Sequence, residues 1–390
     1  MVRAVTRRLH LGLLASLLPL ALGGCGGEGS SGTIYGSGGT TLPSGVTTDM
    51  SDTDSSGSTV GEGDSDTDES AGDGDGDSGG TIFDVGDNGT DTDATDTDGE
   101  GCMLPHTPCD AGSDDPFAVI GLGCPGETPI NPSIDAHPDG LAVRTGFGGT
   151  DTYAPREGES FFVLSTGHTV ELDDEPTSPG DQINHCNKWF TPGDGMDTTN
   201  FPPPIQKTNV GGDCLANPAL VGTGDCSNTI AAQFNQSGWK YDYQEIRVSL
   251  TVPESANALA FDVAYFTTEW PVFAGQPYND MFIAWLEASN WTGNVSFDDF
   301  GSALSLNAAF FEYEDQGGNL AEFAGTCMRY GAGTPWLSST APVVPGDQIE
   351  LVFAIFDLDD VNLDSFVFLD NFRWLCEGEG PPSTVPVPIP

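Results

Sequence analysis

Six segments with the composition of β-strands lie between residues 245 and 374, and they constrain the fold more than any other feature of the chain. The first, Glu245–Val252, alternates apolar and polar side chains, which is the period of a strand with one buried face. The five remaining segments are Ala258–Thr267, Asp280–Ala288, Leu304–Tyr313, Gln348–Phe356 and Ser365–Trp374. Several of these five are apolar on both faces, as in the central strands of two packed sheets.

Turn-forming residues separate these segments, and no helical periodicity of useful length accompanies them. Pro345–Asp347 reads Pro-Gly-Asp, in which proline presets φ and glycine accepts a positive φ. A further strand and turn are expected at Glu159–Gly167, whereas Asp173–Cys226 is rich in Pro, Gly and Asp and indicates long loops. The expected fold is all-β: an antiparallel, jelly-roll-like β-sandwich with long disulfide-stapled loops.

The N-terminus has the parts of a bacterial lipoprotein leader. Arginines near the start precede the apolar stretch Leu11–Leu22, and Gly23-Gly24-Cys25 completes a segment that resembles a lipobox. The apolar stretch is shorter than the roughly 20 residues of a transmembrane helix. We predict that residues 1–24 are removed and that Cys25 is acylated, which places the protein at the outer membrane or cell surface; the alternative is an ordinary signal peptide followed by an incidental cysteine.

Residues 25–101 have the composition of a disordered acidic tether. From Gly26 to Gly101 the chain holds 19 Asp and Glu, no Lys or Arg, and few apolar side chains, too few to offset the entropy of an ordered chain. Asp-x-Asp repeats in this segment are similar to calcium loops, but they lack the glutamate spacing and flanking helices of an EF-hand. A solvated spacer is the preferred interpretation.

The number of cysteines supports export. Without Cys25, eight of the nine cysteines remain, and an even number in an exported chain indicates disulfides, four at most. The sequence leaves their connectivity open, although the first three are expected to staple a cap at residues 102–128, before a sandwich domain at 129–376 and a Pro-rich tail at 377–390. The eight are Cys102, Cys109, Cys124, Cys186, Cys214, Cys226, Cys327 and Cys376.

The charge of the chain excludes nucleic acid as a partner. The formal net charge is −48, and 40 acidic residues still face only 8 basic ones when the leader arginines and the tether are left out. Binding to a phosphate backbone needs a basic stripe. The chain has no such stripe, so the expected partners are the membrane, through the lipid, and an extracellular ligand.

Three short motifs mark the strand-rich region: Tyr278-Asn279-Asp280 before a strand, Asp364-Ser365 after an Asp-rich loop, and Leu369-Asp370-Asn371 in the last strand. Together with the segments around them, from Phe161 to Cys376, they resemble the choice-of-anchor L domain of bacterial surface proteins. The resemblance implies a surface location and no established catalytic activity. Most members of that family are anchored at the C-terminus, whereas the anchor expected here is N-terminal.

The best candidate metal site is the acidic loop between the last two strands. Asp357, Asp359, Asp360 and Asp364 fall within eight residues of one another, together with Asn362. Clustered hard oxygens suit calcium, which takes about 6–8 oxygen ligands in irregular geometry. We predict a structural calcium ion here and no other cofactor; the alternative is a solvated loop in which Asp364 caps a turn.

Two function classes remain. The preferred one is a non-catalytic surface module for adhesion or for binding a ligand, with glycan as one candidate. The other is a secreted hydrolase acting on polysaccharide or peptide, which no Gly-x-Ser-x-Gly or His-Glu-x-x-His motif supports. His106, His137, His168 and His185 each stand alone in loop-like sequence. Aromatic residues near loops are candidate glycan contacts unless they belong to the core: Trp189, Trp239, Trp270, Trp291 and Trp336.

Overall fold

The computed structural model describes residues 103–188, 190, 197, 199–234, 238–276, 278–308, 310–378 and 380–388. Within these residues the regular structure is two antiparallel β-sheets, with one α-helical turn, α1 (Pro116–Ile120), and short 3₁₀ turns. In the same residues no helix is long and apolar enough to span a membrane. The expected all-β, antiparallel fold is confirmed, and the leader, Cys25 and the tether lie outside the described residues.

The chain passes several times between the two sheets, and some consecutive strands, such as β6 to β8, stay in one sheet. One sheet has the order β1-β4-β12-β6-β7, with β8 beside β6, and the other has the order β14-β11-β5-β13-β3-β2, with β10 beside β5 and β9 beside β10. The strands are β1 (Ile130–Asp135), β2 (Leu141–Arg144), β3 (Phe161–Ser165), β4 (Lys240–Thr251), β5 (Ala258–Thr267), β6 (Met281–Glu287), β7 (Thr292–Asn294), β8 (Leu304–Ser305), β9 (Tyr313–Glu314), β10 (Ala332–Gly333), β11 (Leu337–Pro342), β12 (Gln348–Leu358), β13 (Ser365–Leu375) and β14 (Ser383–Pro386).

The central strands are apolar on both faces because each sheet is covered on both sides. Along β12, Leu351 and Phe353 belong to the main core with residues of both sheets, whereas the intervening Val352 packs in a second cluster with loop residues such as Ile205 and Ile230. Along β5, Phe266 belongs to a third cluster, which the loop residues Phe147, Tyr153 and Phe323 cover. The long loops are therefore outer layers of the core.

One predicted strand is wrong in its middle. Leu304–Tyr313 was expected to pair throughout, but only its two ends do so, as β8 and β9. Between them the chain turns, and the Ala308 N–H donates to the Ser305 carbonyl at 3.0 Å. The backbone N–H of Asn307 also donates to the side-chain oxygen of Asn279, so local polar contacts replace the pairing that the apolar composition favoured.

The disulfide prediction is confirmed for the described cysteines. The pairs are Cys109–Cys124, Cys186–Cys327 and Cys214–Cys226. Cys376 is disulfide-bonded as well, and Cys102 lies outside the described residues. The Cys109–Cys124 bond closes the predicted cap around α1, whose Phe117, Val119 and Ile120 enter the main core.

Candidate functional site

Six acidic side chains from distant parts of the sequence meet at one end of the sandwich, which we call the acidic end. Antiparallel pairing brings them together, because the last residues of β5 and β12 lie beside the first residues of β13, β6 and β4. Five of the six are at most 1 % exposed: Asp242, Glu269, Asp280, Asp357 and Asp364. Asp364 is fully buried, and Asp360 is half-buried in the loop before it.

Asp357 lies at the centre of this group, where a β-bulge changes the register of β4 against β12. Ile355 pairs with Gln244 and Asp357 with Tyr241, so two residues of β4 face Phe356 alone. One of the two, Asp242, has a positive φ of 47°. Bulges often re-aim side chains beside functional sites, and this one places Asp242 and Asp357 on the same buried end.

The buried carboxylates lack the hydrogen bonds that ordinarily accompany burial. Neither oxygen of Asp357 accepts a hydrogen bond from a described residue, and Asp280 Oδ1, Asp364 Oδ1 and Glu269 Oε2 are equally without a donor. Asp280 Oδ2 accepts from the Ser365 hydroxyl at 2.7 Å, and Asp364 Oδ2 accepts from the backbone N–H of Lys188 at 3.3 Å. Such groups are normally satisfied, so their number here requires a physical explanation.

Burial and mutual repulsion raise the pKa of these carboxyl groups. Burial, and then the charges of Asp280 and Asp242, raise the pKa of Asp357 well above its usual value, although the nearby Thr166 hydroxyl, which itself donates to the Ser365 carbonyl at 3.5 Å, partly offsets the rise. Burial raises the pKa of Asp364 to about 8 and that of Asp242 to about 7. In the absence of a cation, the acidic end thus retains protons up to neutral pH.

The structure places the predicted loop residues unequally. Asp357 and Asp364 are central, and Asp360 lies at the edge. Asp359 acts on Lys240 instead: burial and the charge of Lys207 lower the pKa of Lys240 to about 8, and the charge of Asp359 partly offsets that decrease. Asn362 is exposed. Sequence reasoning missed Asp242, Glu269 and Asp280 as members of the site. The motifs offered a partial signal, because Asp280 and Ser365, which belong to two of them, are hydrogen-bonded to each other.

An apolar groove of about 680 Å³ adjoins the acidic end. Val272 and Ile183 are 73 % and 61 % exposed in it, an unusual exposure for aliphatic side chains that share one concave surface. Asp360 belongs to both features, and Leu363, which also lines the groove, directly precedes the buried Asp364. The groove is lined by Pro179, Gln182, Ile183, Thr268, Trp270, Pro271, Val272, Phe273, Gln316, Tyr330, Asp360, Asn362 and Leu363.

Most of the candidate glycan-binding tryptophans belong to the core. Trp291 and Trp336 are each 3 % exposed, and Trp270 lines the groove with only 8 % of its surface exposed. Trp239 is 41 % exposed and stacks on Tyr241, while Trp189 lies outside the described residues. Exposed tryptophan faces therefore do not define the groove, which is lined by a mixture of aliphatic, aromatic and polar side chains.

The histidines lie in small polar clusters and are only partly exposed, contrary to the expectation of isolated surface residues. His185 lies between Asp174 and Asp181, and the rings of His137 and His168 both stack on Phe190. The ring nitrogens of His106 contact Glu127 and Glu157.

In the described part of the chain, one group brings three ligand atoms within 4.8 Å of one another: His106, Cys124 and Glu127. It is a poor metal site. The Cys124 sulfur is bonded to Cys109, so it cannot coordinate as a thiolate. A hydrogen bond to Glu157 is the main cause that raises the pKa of His106 to about 9, so this imidazole is a cation at neutral pH and has no lone pair for a metal.

Comparisons with known proteins return no relative. No family model matches the chain, and neither the curated proteins nor the solved structures contain a match. The resemblance to the choice-of-anchor L domain stays a prediction.

Proposed function

We propose that this chain is a non-catalytic, lipid-anchored module of the bacterial cell surface, and that the groove beside the acidic end binds an extracellular ligand. The observation that carries the proposal is the groove itself, in which Val272 and Ile183 expose most of their surface within one concavity. Ligand sites are concave and mostly apolar, with a few polar groups that fix orientation. Two exposed lining residues, Gln316 and Asn362, supply such groups.

The position of the carboxylates favours binding over hydrolysis. A glycosidase needs two carboxyl groups that flank the bond to be broken. Asp360 is the one member of the acidic end that lines the groove, whereas Asp280 and Asp357 are fully buried behind it. A ligand in the groove would therefore meet one carboxylate.

The chemistry of the groove also bears on the ligand. Most of its surface is apolar, with Val272 and Ile183 the most exposed aliphatic side chains, and the amides of Gln316 and Asn362 are exposed beside them. This combination suits a ligand that presents an apolar face beside hydrogen-bonding groups, such as the face of a sugar ring or an extended peptide. An extracellular glycan or protein segment is the ligand class that we propose.

The test is a binding panel of immobilised glycans and extracellular proteins, probed with the full chain. Val272→Asp introduces a charge into the groove, and we expect it to weaken binding at least about tenfold, equivalent to about 1.4 kcal/mol. Val170→Asp is the matched control, because Val170 is 71 % exposed and does not line the groove. Equal effects of the two variants would contradict the groove as the binding surface, and turnover of a bound panel member would favour the hydrolase.

A further inference from the structure

Buried aspartates elsewhere in this protein show what a satisfied carboxylate looks like. Asp110 Oδ2 accepts from two backbone N–H groups and one hydroxyl, at 2.6 to 2.9 Å. Asp225 accepts from the backbone N–H groups of four residues. Asp262 forms ion pairs with Arg156 and Arg373. The fold therefore supplies donors or cations to buried carboxylates as a rule.

The acidic end departs from that rule. Asp357 is fully buried, and both of its oxygens lack a donor among the described residues. Its neighbours Asp280 and Asp364 are also fully buried, and each has one oxygen in the same condition. An uncompensated buried carboxylate is strongly unfavourable, and several within mutual repulsion are more so.

Basic side chains near the acidic end are directed to other groups. The Lys188 ammonium lies 4.0 Å from Glu171. The Lys240 ammonium donates to the Gly238 carbonyl at 3.0 Å and lies 4.5 Å from the centre of the Phe201 ring. In the part of the chain that the structure describes, no Lys, Arg or His forms an ion pair with any of the six carboxylates. The missing positive charge must come from protons or from a bound ion.

We propose that the acidic end binds a calcium ion between Asp280, Asp357 and Asp364, with Glu269 and Asp360 as further oxygen ligands on the side of the groove. The ligand atoms are all hard carboxylate oxygens, whereas zinc sites are typically built from thiolate and imidazole ligands. Ligands that come from the end of β12 and from the turns before β6 and β13 form an irregular arrangement, which calcium tolerates and magnesium does not.

The ion draws the carboxylates inward. In this structure no three of these carboxylates bring one oxygen each within 4.8 Å of the others. Calcium holds each ligand oxygen at about 2.3–2.6 Å from the ion, so binding moves the carboxylates closer together. It thereby links the end of β12 to the beginnings of β6 and β13, which belong to different sheets. Because Asp360 and Leu363 also line the groove, the ion fixes one wall of the proposed binding surface.

The experiment compares thermal unfolding of the full chain in excess calcium and in excess chelator, for wild type, Asp357→Asn and Asp280→Asn. Calcium at 100-fold above Kd adds about 2.7 kcal/mol, which raises the wild-type Tm by several degrees. Both variants should lose this shift. In chelator, Asp357→Asn should be at least as stable as wild type, because it removes one of the repelling carboxylates.

The control variant is Asp299→Asn, which removes the same charge from an exposed position and should keep the full calcium shift. The acidic tether is present in every protein compared, so its own cation binding cancels. Terbium supplies a second readout, since the Tyr265 hydroxyl lies 2.8 Å from the Asp280 carbonyl and should sensitise emission from a terbium ion bound there. Calcium should quench that emission by competition.

The proposal is overturned if the wild-type Tm is the same in calcium and in chelator, since the carboxylates would then hold protons. It is also overturned if Asp357→Asn and Asp280→Asn keep the shift, or if magnesium at equal concentration produces it equally well. None of these outcomes bears on whether the groove binds a ligand, so the calcium site and the proposed function are tested separately.

Discussion

At the residue scale, the position of Asp364 depends on the lack of a side chain at Gly167. A Cβ built on Gly167 would lie 1.8 Å from Oδ2 and 2.0 Å from Cγ of Asp364. The carboxylate therefore occupies the space that any other residue would fill, and Gly167 brings the turn after β3 into contact with the acidic end.

We expect Gly167→Ala to lower the free energy of unfolding by about 1–3 kcal/mol, the usual range for overpacking a buried position. Denaturant titration measures this as a lower midpoint with an unchanged m-value. Gly146→Ala is the control, because a Cβ at Gly146 meets no atom within 4 Å. Equal midpoints for the two variants would mean that the Asp364 carboxylate is free to move away.

Sequence alone identified part of the acidic end. Asp357, Asp360 and Asp364 are neighbours in the chain, so their clustering is visible without a fold. Glu269 and Asp242 could not be distinguished among 59 acidic residues, because only strand pairing brings them to the same place. The burial of Asp357 was also unpredictable, since strand β12 extends to Leu358, beyond the expected end at Phe356.

At the scale of elements, the Cys186–Cys327 disulfide holds a loop against both the groove and the acidic end. The Cys186 carbonyl accepts from the Asp364 N–H at 2.8 Å and from the Thr268 hydroxyl at 3.4 Å. Gln182 and Ile183, which line the groove, lie just before Cys186 in the same loop. The alternation pattern predicted the strands, but it contains no information on which loops cover them.

We expect removal of this disulfide, by Cys186→Ser with Cys327→Ser, to destabilise the fold more than removal of Cys214–Cys226. The sequence separations are 141 and 12 residues, for which the chain-entropy model gives about 5 and about 3 kcal/mol. Denaturant titration of the two double variants measures the difference. A larger loss for the Cys214–Cys226 pair would show that the longer loop is ordered mainly by its packing.

At the scale of the whole molecule, the sequence predicted the two-sheet fold because its central strands have strong periodicity and apolar composition. It did not predict that Leu304–Tyr313 pairs only at its two ends, as β8 and β9, because polar contacts of the turn between them outweigh local preference. The lipid anchor lies outside the described residues and stays a prediction.

Replacement of the predicted acylation site tests that anchor. We expect Cys25→Ala to move the protein from the membrane fraction to the soluble fraction of cells, because the lipid attached to this cysteine supplies the proposed membrane attachment. Immunoblotting of separated fractions measures the distribution. Unchanged partitioning into membranes would contradict lipid anchoring at this residue, while leaving the sandwich and its acidic end unaffected.

The most direct test of the central claim, that the acidic end is built around an ion, is anomalous X-ray diffraction from crystals of the protein grown with calcium. We expect one anomalous peak between Asp280, Asp357 and Asp364, with oxygens at about 2.3–2.6 Å from it. If the carboxylates instead contact each other in pairs with no anomalous peak between them, they share protons and hold no ion. That result would contradict the calcium site.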